Sequence, residues 1–236
     1  MIKYVASCSF GKDSLAMFHL ILEHNLPLDE VIFFDTGMEF NCIYKIKERV
    51  KQICKEKGID FVELKMPYNF QYMMFEKPVK CRNCQIKKGY SWCGGSCRWG
   101  TAYKQYIIGR QTKGKKVYVG IAKDEVKRID RARKKGQLLP LVDYGFTEKD
   151  ALDYCRKLGY SWEEDGIDLY DILDRVSCWC CANKNKKELR AYYKFLPTYW
   201  NKLKELQSKT DRPFQNGKSI FDFEEEFEKE KENVSI

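Results

Sequence analysis

The stretch Ser7-Cys8-Ser9-Phe10-Gly11-Lys12-Asp13-Ser14 constrains this chain more than any other. It follows a short apolar, β-prone run from Ile2 to Ala6 and leads into an apolar-periodic segment, Leu15 to Leu22. The local reading is a strand, a tight Gly-containing turn and a helix with Ser14 in its first turn. That geometry aims several backbone N–H groups and the positive end of a helix dipole at one spot, which suits a phosphate. Lys12 adds a mobile positive charge, Ser9 and Ser14 add hydroxyl donors, and Asp13 adds a carboxylate able to hold a metal or orient the loop. A Walker A loop is excluded, because G-x-x-x-x-G-K-S/T has no match.

The segments that follow extend this turn into a sheet. Glu30 to Gly37 reads as a buried strand ending in a turn, since the unbroken apolar run Val31 to Phe34 suits a parallel strand covered on both faces. Asp35, Thr36 and Gly37 then fall at its carboxyl end, where open α/β sheets bind ligands. Asn41 to Lys57 has helical spacing through Ile43, Ile46, Val50 and Ile53, with Gly58 as the C′ stop. Ile59 to Leu64 alternates as a third strand. The order βαβαβ within 64 residues implies an α/β fold with a doubly wound, mostly parallel sheet.

Ser9-Phe10-Gly11-Lys12-Asp13-Ser14 resembles the PP-loop, S-G-G-K-D-S, of the ATP-pyrophosphatase superfamily, the adenine nucleotide alpha hydrolases. Asp35-Thr36-Gly37-Met38-Glu39-Phe40 is similar to the D-T-G-x-E-F segment of that superfamily's phosphoadenosine phosphosulfate (PAPS) reductase branch. The resemblance implies a Rossmann-like sheet and a loop that holds the phosphates of ATP with Mg2+. It implies that ATP is split between its α and β phosphates, with adenylyl transfer to a substrate. Ser7, Ser9, Phe10, Gly11, Lys12, Asp13, Ser14, Asp35, Thr36 and Gly37 are then the nucleotide-binding residues. Phe10 stands where the family most often has its first Gly, which predicts a tighter approach on that side.

Arg98-Trp99-Gly100-Thr101-Ala102-Tyr103-Lys104 resembles the family's R-W-C-T-x-x-K, with Gly100 in place of the family's Cys and Cys97 nearby. Lys116 to Ile121 reads as a strand. Gly120-Ile121-Ala122-Lys123-Asp124-Glu125 with Arg128 partly matches G-I-R-x-D-E-S-x-R. The resemblance assigns Gly120 and Ile121 to the nucleotide, and Arg98, Lys104, Lys123 and Arg128 to phosphate or an anionic substrate. With Lys12 and Asp13, Arg98, Lys104 and Arg128 form the expected catalytic set. Leu138 to Asp150 resembles the family's P-L-x-x-W-x-x-x-D stretch and reads as scaffolding, with Thr147 the N-cap of a helix through Leu158 closed by Gly159.

The chain has 11 cysteines. In a chain whose first residues lack a signal-peptide core, they read as metal ligands or redox groups before disulfides, and the expected location is cytoplasmic. Cys81, Cys84, Cys93 and Cys97 form C-x2-C-x8-C-x3-C, four thiols in 17 residues. That spacing alone closes a structural Zn2+ site or supplies part of an iron–sulfur cluster. Cys178, Cys180 and Cys181 follow in Ser177-Cys178-Trp179-Cys180-Cys181-Ala182-Asn183, read as the N-terminus of a helix from Lys187 to Leu206, where thiols ionise more readily. PP-loop enzymes that thiolate tRNA pair the loop with a C-x-x-C and one later cysteine, and these hold a [4Fe-4S] cluster. By that resemblance four of the seven cysteines bind metal, the preferred set being Cys81, Cys84, Cys178 and Cys181.

The net charge of +9 is unevenly placed. Residues 101–140 hold twelve Lys/Arg against three Asp/Glu, and residues 224–236 hold six Glu against two Lys. A basic stretch of that density meets nucleic acid or a polyanionic nucleotide, or else forms a solvated helical surface. No run approaches the length of apolar residues that crosses a membrane, so no membrane partner is expected. The expected organisation is a PP-loop domain over residues 1–206, with a Cys-rich insertion at 66–100 and a Cys cluster and helix at 177–206, followed by a charged, mobile tail at 207–236.

These features imply an ATP-dependent adenylating sulfurtransferase acting on a nucleic acid (tRNA or DNA) or a nucleotide, fed by a sulfur donor protein or sulfide, with a homodimer allowed. Two alternatives stand beside it. One is a sulfonucleotide reductase acting on PAPS or adenylyl sulfate, disfavoured because no cysteine follows Cys181 and histidine is confined to His19 and His24. The other is a zinc-stabilised nucleotide- or nucleic-acid-binding module.

Overall fold

Short apolar runs separated by helices become the strands of a parallel sheet. The computed structural model describes residues 2–81, 84–92 and 97–234, with Arg98 and residues 231–234 described by their backbone alone. In chain order it contains β1 (Tyr4–Cys8), α1 (Lys12–Glu23), β2 (Glu30–Asp35), α2 (Asn41–Lys57), β3 (Asp60–Lys65), β4 (Pro78–Lys80) and β5 (Ile86–Lys88). Then come α3 (Lys104–Gln111), β6 (Lys116–Val119), α4 (Val126–Lys134), α5 (Pro140–Asp143), α6 (Glu148–Lys157), β7 (Glu163–Glu164) and β8 (Ile167–Asp168). The last elements are α7 (Leu169–Ile172), α8 (Lys186–Phe195), α9 (Pro197–Gln207) and α10 (Ile220–Val234). Two π-helical turns lie at Tyr72–Glu76 and Arg98–Tyr103.

The chain forms two compact units. The first comprises Met1–Asp35, Glu39–Lys65 and Lys104–Trp162. Its sheet has the order β3-β2-β1-β6, and every pairing is parallel. Strand order reverses at β1, so the carboxyl ends of β1 and β6 flank a topological switch point, the place where such sheets bind ligands. The apolar run of β2 is buried from Glu30 to Phe34, and the one carboxylate there, Glu30, takes Lys115 Nζ at 3.0 Å. Along α2 the buried stripe Cys42, Ile43, Ile46, Val50 and Cys54 has helical spacing, and Gly58 closes the helix with φ +67. The doubly wound parallel sheet expected from the sequence is therefore present.

The second unit comprises Thr36–Met38, Met66–Tyr103 and Glu163–Ile236. Two sequence expectations change in it. The 66–100 insertion carries the π-helical turn at Tyr72–Glu76, the antiparallel β4–β5 hairpin and the start of the second π-helical turn. The helix expected from Lys187 to Leu206 is two helices, because Pro197 removes a backbone donor and pushes Leu196 out of helical geometry, to φ −124, ψ 60. The stretch expected as a mobile tail instead carries α10 within its described part, 207–234; Ile220, Phe223 and Phe227 are buried there, and Glu226, Glu230 and Glu224 pair with Lys186, Arg190 and Lys204. The apolar positions spaced along an acidic stretch give it a face to bury. Among the described residues no helix is long and apolar enough to cross a membrane.

Candidate functional site

The turn after β1 carries the residues expected to bind phosphate. Gly11 is the N-cap of α1 and no side chain caps that helix. Instead the hydroxyls brace the loop: Ser9 N donates to Ser14 Oγ at 3.1 Å, and Ser14 Oγ donates to Gly11 O at 3.2 Å. Gly120, just past β6, completes the wall. A Cβ on it would lie 2.7 Å from Ser14 N, so only glycine lets the two segments approach.

Phe10 overturns the expectation of a tighter approach. It holds φ +60, the left-handed region that glycine adopts without cost, and its ring is fully buried, stacked 5.0 Å from Phe33. Trp162 Nε1 donates to Phe10 O at 2.9 Å. Backbone strain of roughly 1–3 kcal/mol is offset by ring burial of about the same size. The side chain points into the core, leaving the backbone path of the loop intact.

Lys12 is 8% exposed, and its ammonium is held between Asp13 Oδ1 at 3.1 Å and Glu148 Oε2 at 2.7 Å. Burial raises the pKa of Asp13, Lys12 pulls it back down, and Glu148 and Glu125 add to the rise. A lysine held by carboxylates can exchange them for phosphate oxygens when a nucleotide arrives. Glu148 opens α6, whose expected N-cap, Thr147, is in place and forms a capping box with Asp150. The sequence reading missed Glu148, since a glutamate in a helix's first turn already has a role at the helix dipole.

The remaining expected residues divide. Arg128 pairs with Glu125, whose other oxygen accepts Ala122 N at 3.2 Å. Ile121 is buried with Ile129, Ala132 and Leu139 in a small core. Lys104 Nζ sits 6.0 Å from the centroid of the Phe34 ring. Asp35 accepts Tyr44 OH at 2.8 Å. Ser7 lies within β1, and Gly37 turns with φ +70. Lys123 is exposed. Cys93 and the Arg98 side chain lie outside the described residues.

In the second unit, Cys97 and Cys178 converge on Gly100. A Cβ there would lie 3.6 Å from Cys178 Sγ and 4.0 Å from Cys97 Sγ, and Gly100 N donates to Cys97 Sγ at 3.1 Å. The position of the family's Cys is thus flanked by two thiols from elsewhere in the chain. Thr36 Oγ1 lies 3.4 Å from Cys178 Sγ, Trp99 Nε1 donates to Thr36 O, and Trp179 N donates to Met38 O. Cys81 and Cys84 sit at the tip of the β4–β5 hairpin, where Cys84 N donates to Cys81 O at 3.1 Å and Cys84 holds φ +63. Cys178, Cys180 and Cys181 lie ahead of α8, whose N-cap is Asn185, and so not at the helix N-terminus expected for them. Thiols are the right donor kind for zinc or iron–sulfur. Among the described residues, no three His, Cys, Asp or Glu side chains are grouped as a metal site.

Lys184 was also missed. It is 3% exposed, and among the described residues its Nζ reaches no hydrogen-bond partner. Burial lowers its pKa, opposed by Glu188 and then by Cys181, Cys178 and Cys180. A signal existed, because Asn185 and Glu188 form a capping box. Lys184 therefore occupies the residue before the cap, whose side chain normally packs inward.

Comparison with known proteins agrees with the loop. Residues 3–89 match the phosphoadenosine phosphosulfate reductase domain. An uncharacterized protein of Methanocaldococcus jannaschii is 27% identical over 214 residues, covering 84% of this chain and 46% of its own length. An adenosine 5'-phosphosulfate reductase of Bacillus cytotoxicus is 33% identical over 91 residues, 36% of this chain and 37% of its own. The chain thus spans less than half the length of these relatives. A solved structure, U34-tRNA thiolase NcsA from Methanococcus maripaludis with its [4Fe-4S] cluster, aligns at TM-score 0.45 and 14% identity, over 98% of this chain and 72% of that one. Over residues 3–89, which contain the loop, this chain is thus similar to the phosphoadenosine phosphosulfate reductase domain.

Proposed function

We propose that the chain is an ATP-dependent adenylating enzyme that activates a nucleic acid or nucleotide for sulfur insertion or transfer. The observation that supports this reading is Lys12, a buried ammonium at the first turn of α1 within hydrogen-bond distance of the Asp13 and Glu148 carboxylates. In the proposed reaction an acceptor oxygen attacks the α-phosphorus of ATP, the bond from that phosphorus to the β-bridging oxygen breaks, and pyrophosphate leaves. Lys12, freed from Glu148, neutralises the departing phosphates, and Asp13 is the residue that would hold Mg2+. Sulfur then displaces AMP from the activated carbon.

The cysteines would hold a [4Fe-4S] cluster or structural Zn2+, from among Cys81, Cys84, Cys93, Cys97, Cys178, Cys180 and Cys181. Such a cluster would supply a site that carries sulfur. The acceptor's backbone suits α4, where Ile129 and Ala132 are buried while Lys127, Arg131, Arg133 and Lys134 are exposed.

The test is pyrophosphate release from ATP, anaerobically, with tRNA or DNA. Lys12→Ala should lower the rate at least about a hundredfold, as loss of one preorganised charge at the transition state does; an unchanged rate sinks the loop assignment. The partial match to an adenosine 5'-phosphosulfate reductase favours a second reading, reduction of adenylyl sulfate to sulfite and AMP by two electrons from a dithiol. Sulfite release from adenylyl sulfate, without pyrophosphate release from ATP, would replace the first reading by the second.

A further inference from the structure

A surface helix normally keeps one apolar face buried against the core. In α3 no side chain is buried, and Ile107 and Ile108 are only half-buried. The helix starts at the ligand edge of the sheet, since Lys104 Nζ is 6.0 Å from the ring of Phe34, near the carboxyl end of β2. Tyr106 comes two residues later, about 200° round the helix, and so on the outward face. Its ring is 62% exposed, and the Arg110 guanidinium, one turn on, lies 5.8 Å from the ring centre. Gly109 shares that face. A Cβ on it would meet nothing within 4 Å among the described residues. Glycine inside a helix is destabilising relative to alanine, and here no neighbour crowds the space it leaves. Residues 104–116 hold five Lys or Arg and no Asp or Glu. An open aromatic face among cations is what a single nucleic-acid strand uses, stacking its bases while its phosphates meet the charges. A second copy of the same face would instead bring like charges together.

We propose that the outward face of α3 is a stacking platform for an unpaired base flanking the acceptor position of a single-stranded or looped nucleic acid. The inference rests on the reading of a nucleic-acid acceptor, and it narrows that acceptor. A free nucleotide has no flanking base to reach the platform, and the bases of a duplex are already stacked on each other. Tyr106 offers the ring, Gly109 the clearance, and Arg110 with exposed Lys113 the charge for the adjoining phosphates.

The experiment is fluorescence anisotropy of the full chain with labelled RNA and DNA of about 12 nucleotides, each single-stranded and as a duplex, at one fixed salt concentration. Tyr106→Ala should weaken single-strand binding about tenfold, or about 1.4 kcal/mol. Duplex binding should stay within about twofold, because a duplex offers no free base face. Tyr106→Phe, which keeps the ring, should bind single strands like wild type. Gly109→Leu should weaken single-strand binding by a similar factor while raising the urea midpoint, since leucine favours the helix and fills the gap. Single-strand affinity unmoved in Tyr106→Ala overturns the inference, as does an equal loss for the duplex, which marks a general charge or folding effect. Self-association of the wild type that Tyr106→Ala abolishes assigns the face to a protein contact and overturns it too. A wild-type chain that binds no oligonucleotide removes the nucleic-acid reading and this inference together, whereas binding that ignores the ring removes this inference alone. Neither result bears on the ATP loop, which Lys12→Ala tests separately by pyrophosphate release.

Discussion

Two buried lysines, Lys12 and Lys184, face opposite electrostatic situations. Lys12 has carboxylate oxygens at 2.7 and 3.1 Å, while Lys184 Nζ reaches no hydrogen-bond acceptor among the described residues. The Lys12 ammonium is thus charge-balanced by carboxylates of its own unit. Burial lowers the pKa of Lys184, beside the cysteine turn. The construction differs in the same way. The loop is eight consecutive residues braced by their own hydroxyls, whereas the thiol region gathers Thr36, Cys97 with Gly100, and the 178–184 turn from three separate segments.

The loop side of that comparison breaks first at Phe10. Phe10→Ala removes a ring stacked on Phe33 and should cost about 3–5 kcal/mol in urea unfolding. Phe10→Gly loses the same ring yet suits φ +60, so it should be more stable than the alanine variant by about 1 kcal/mol. The reverse order would show that the left-handed backbone is not what the position demands.

Acid should separate the two regions next. His19 lies on α1, with Nε2 2.8 Å from Tyr160 OH, and its pKa falls from 6.5 to about 4, through burial first and Arg49 second, with Glu23 opposing. The unfolded chain then binds a proton below 6.5 that the folded chain refuses. His19 therefore costs nothing above that pH, and stability falls as pH drops through 6.5 until about 4. The loss amounts to at most about 3 kcal/mol. His19→Gln should flatten that part of the urea-midpoint profile. An unaltered slope would place the acid sensitivity elsewhere.

The contrast also explains what the sequence revealed. The sheet and the loop were legible because each rests on contiguous residues: an apolar run at β2, a helical stripe along α2, and Gly11 between strand and helix. Phe10 was misread because a buried ring and a left-handed backbone leave no periodic trace. Glu148 lies 136 residues from Lys12, and no local pattern announces that pairing. The acidic C-terminal stretch looked disordered by composition, and its order comes from Ile220, Phe223 and Phe227, with basic partners on α8 and α9.

The smallest effect sharpens the thiol side. Gly100 has space for a side chain, since its nearest neighbours are sulfurs at 3.6 and 4.0 Å, ordinary contact distances. Gly100→Ala should therefore stay within about 0.5 kcal/mol of wild type in urea unfolding. Gly100→Cys restores the family's residue and sets a third thiol beside Cys97 and Cys178. Cobalt(II) binding should tighten by up to about tenfold, roughly 1.4 kcal/mol, relative to Gly100→Ala. Equal affinity in the two variants would mean that Cys97 and Cys178 meet as packing neighbours. A gain that vanishes in Cys178→Ser would show that the centre is built around this pair.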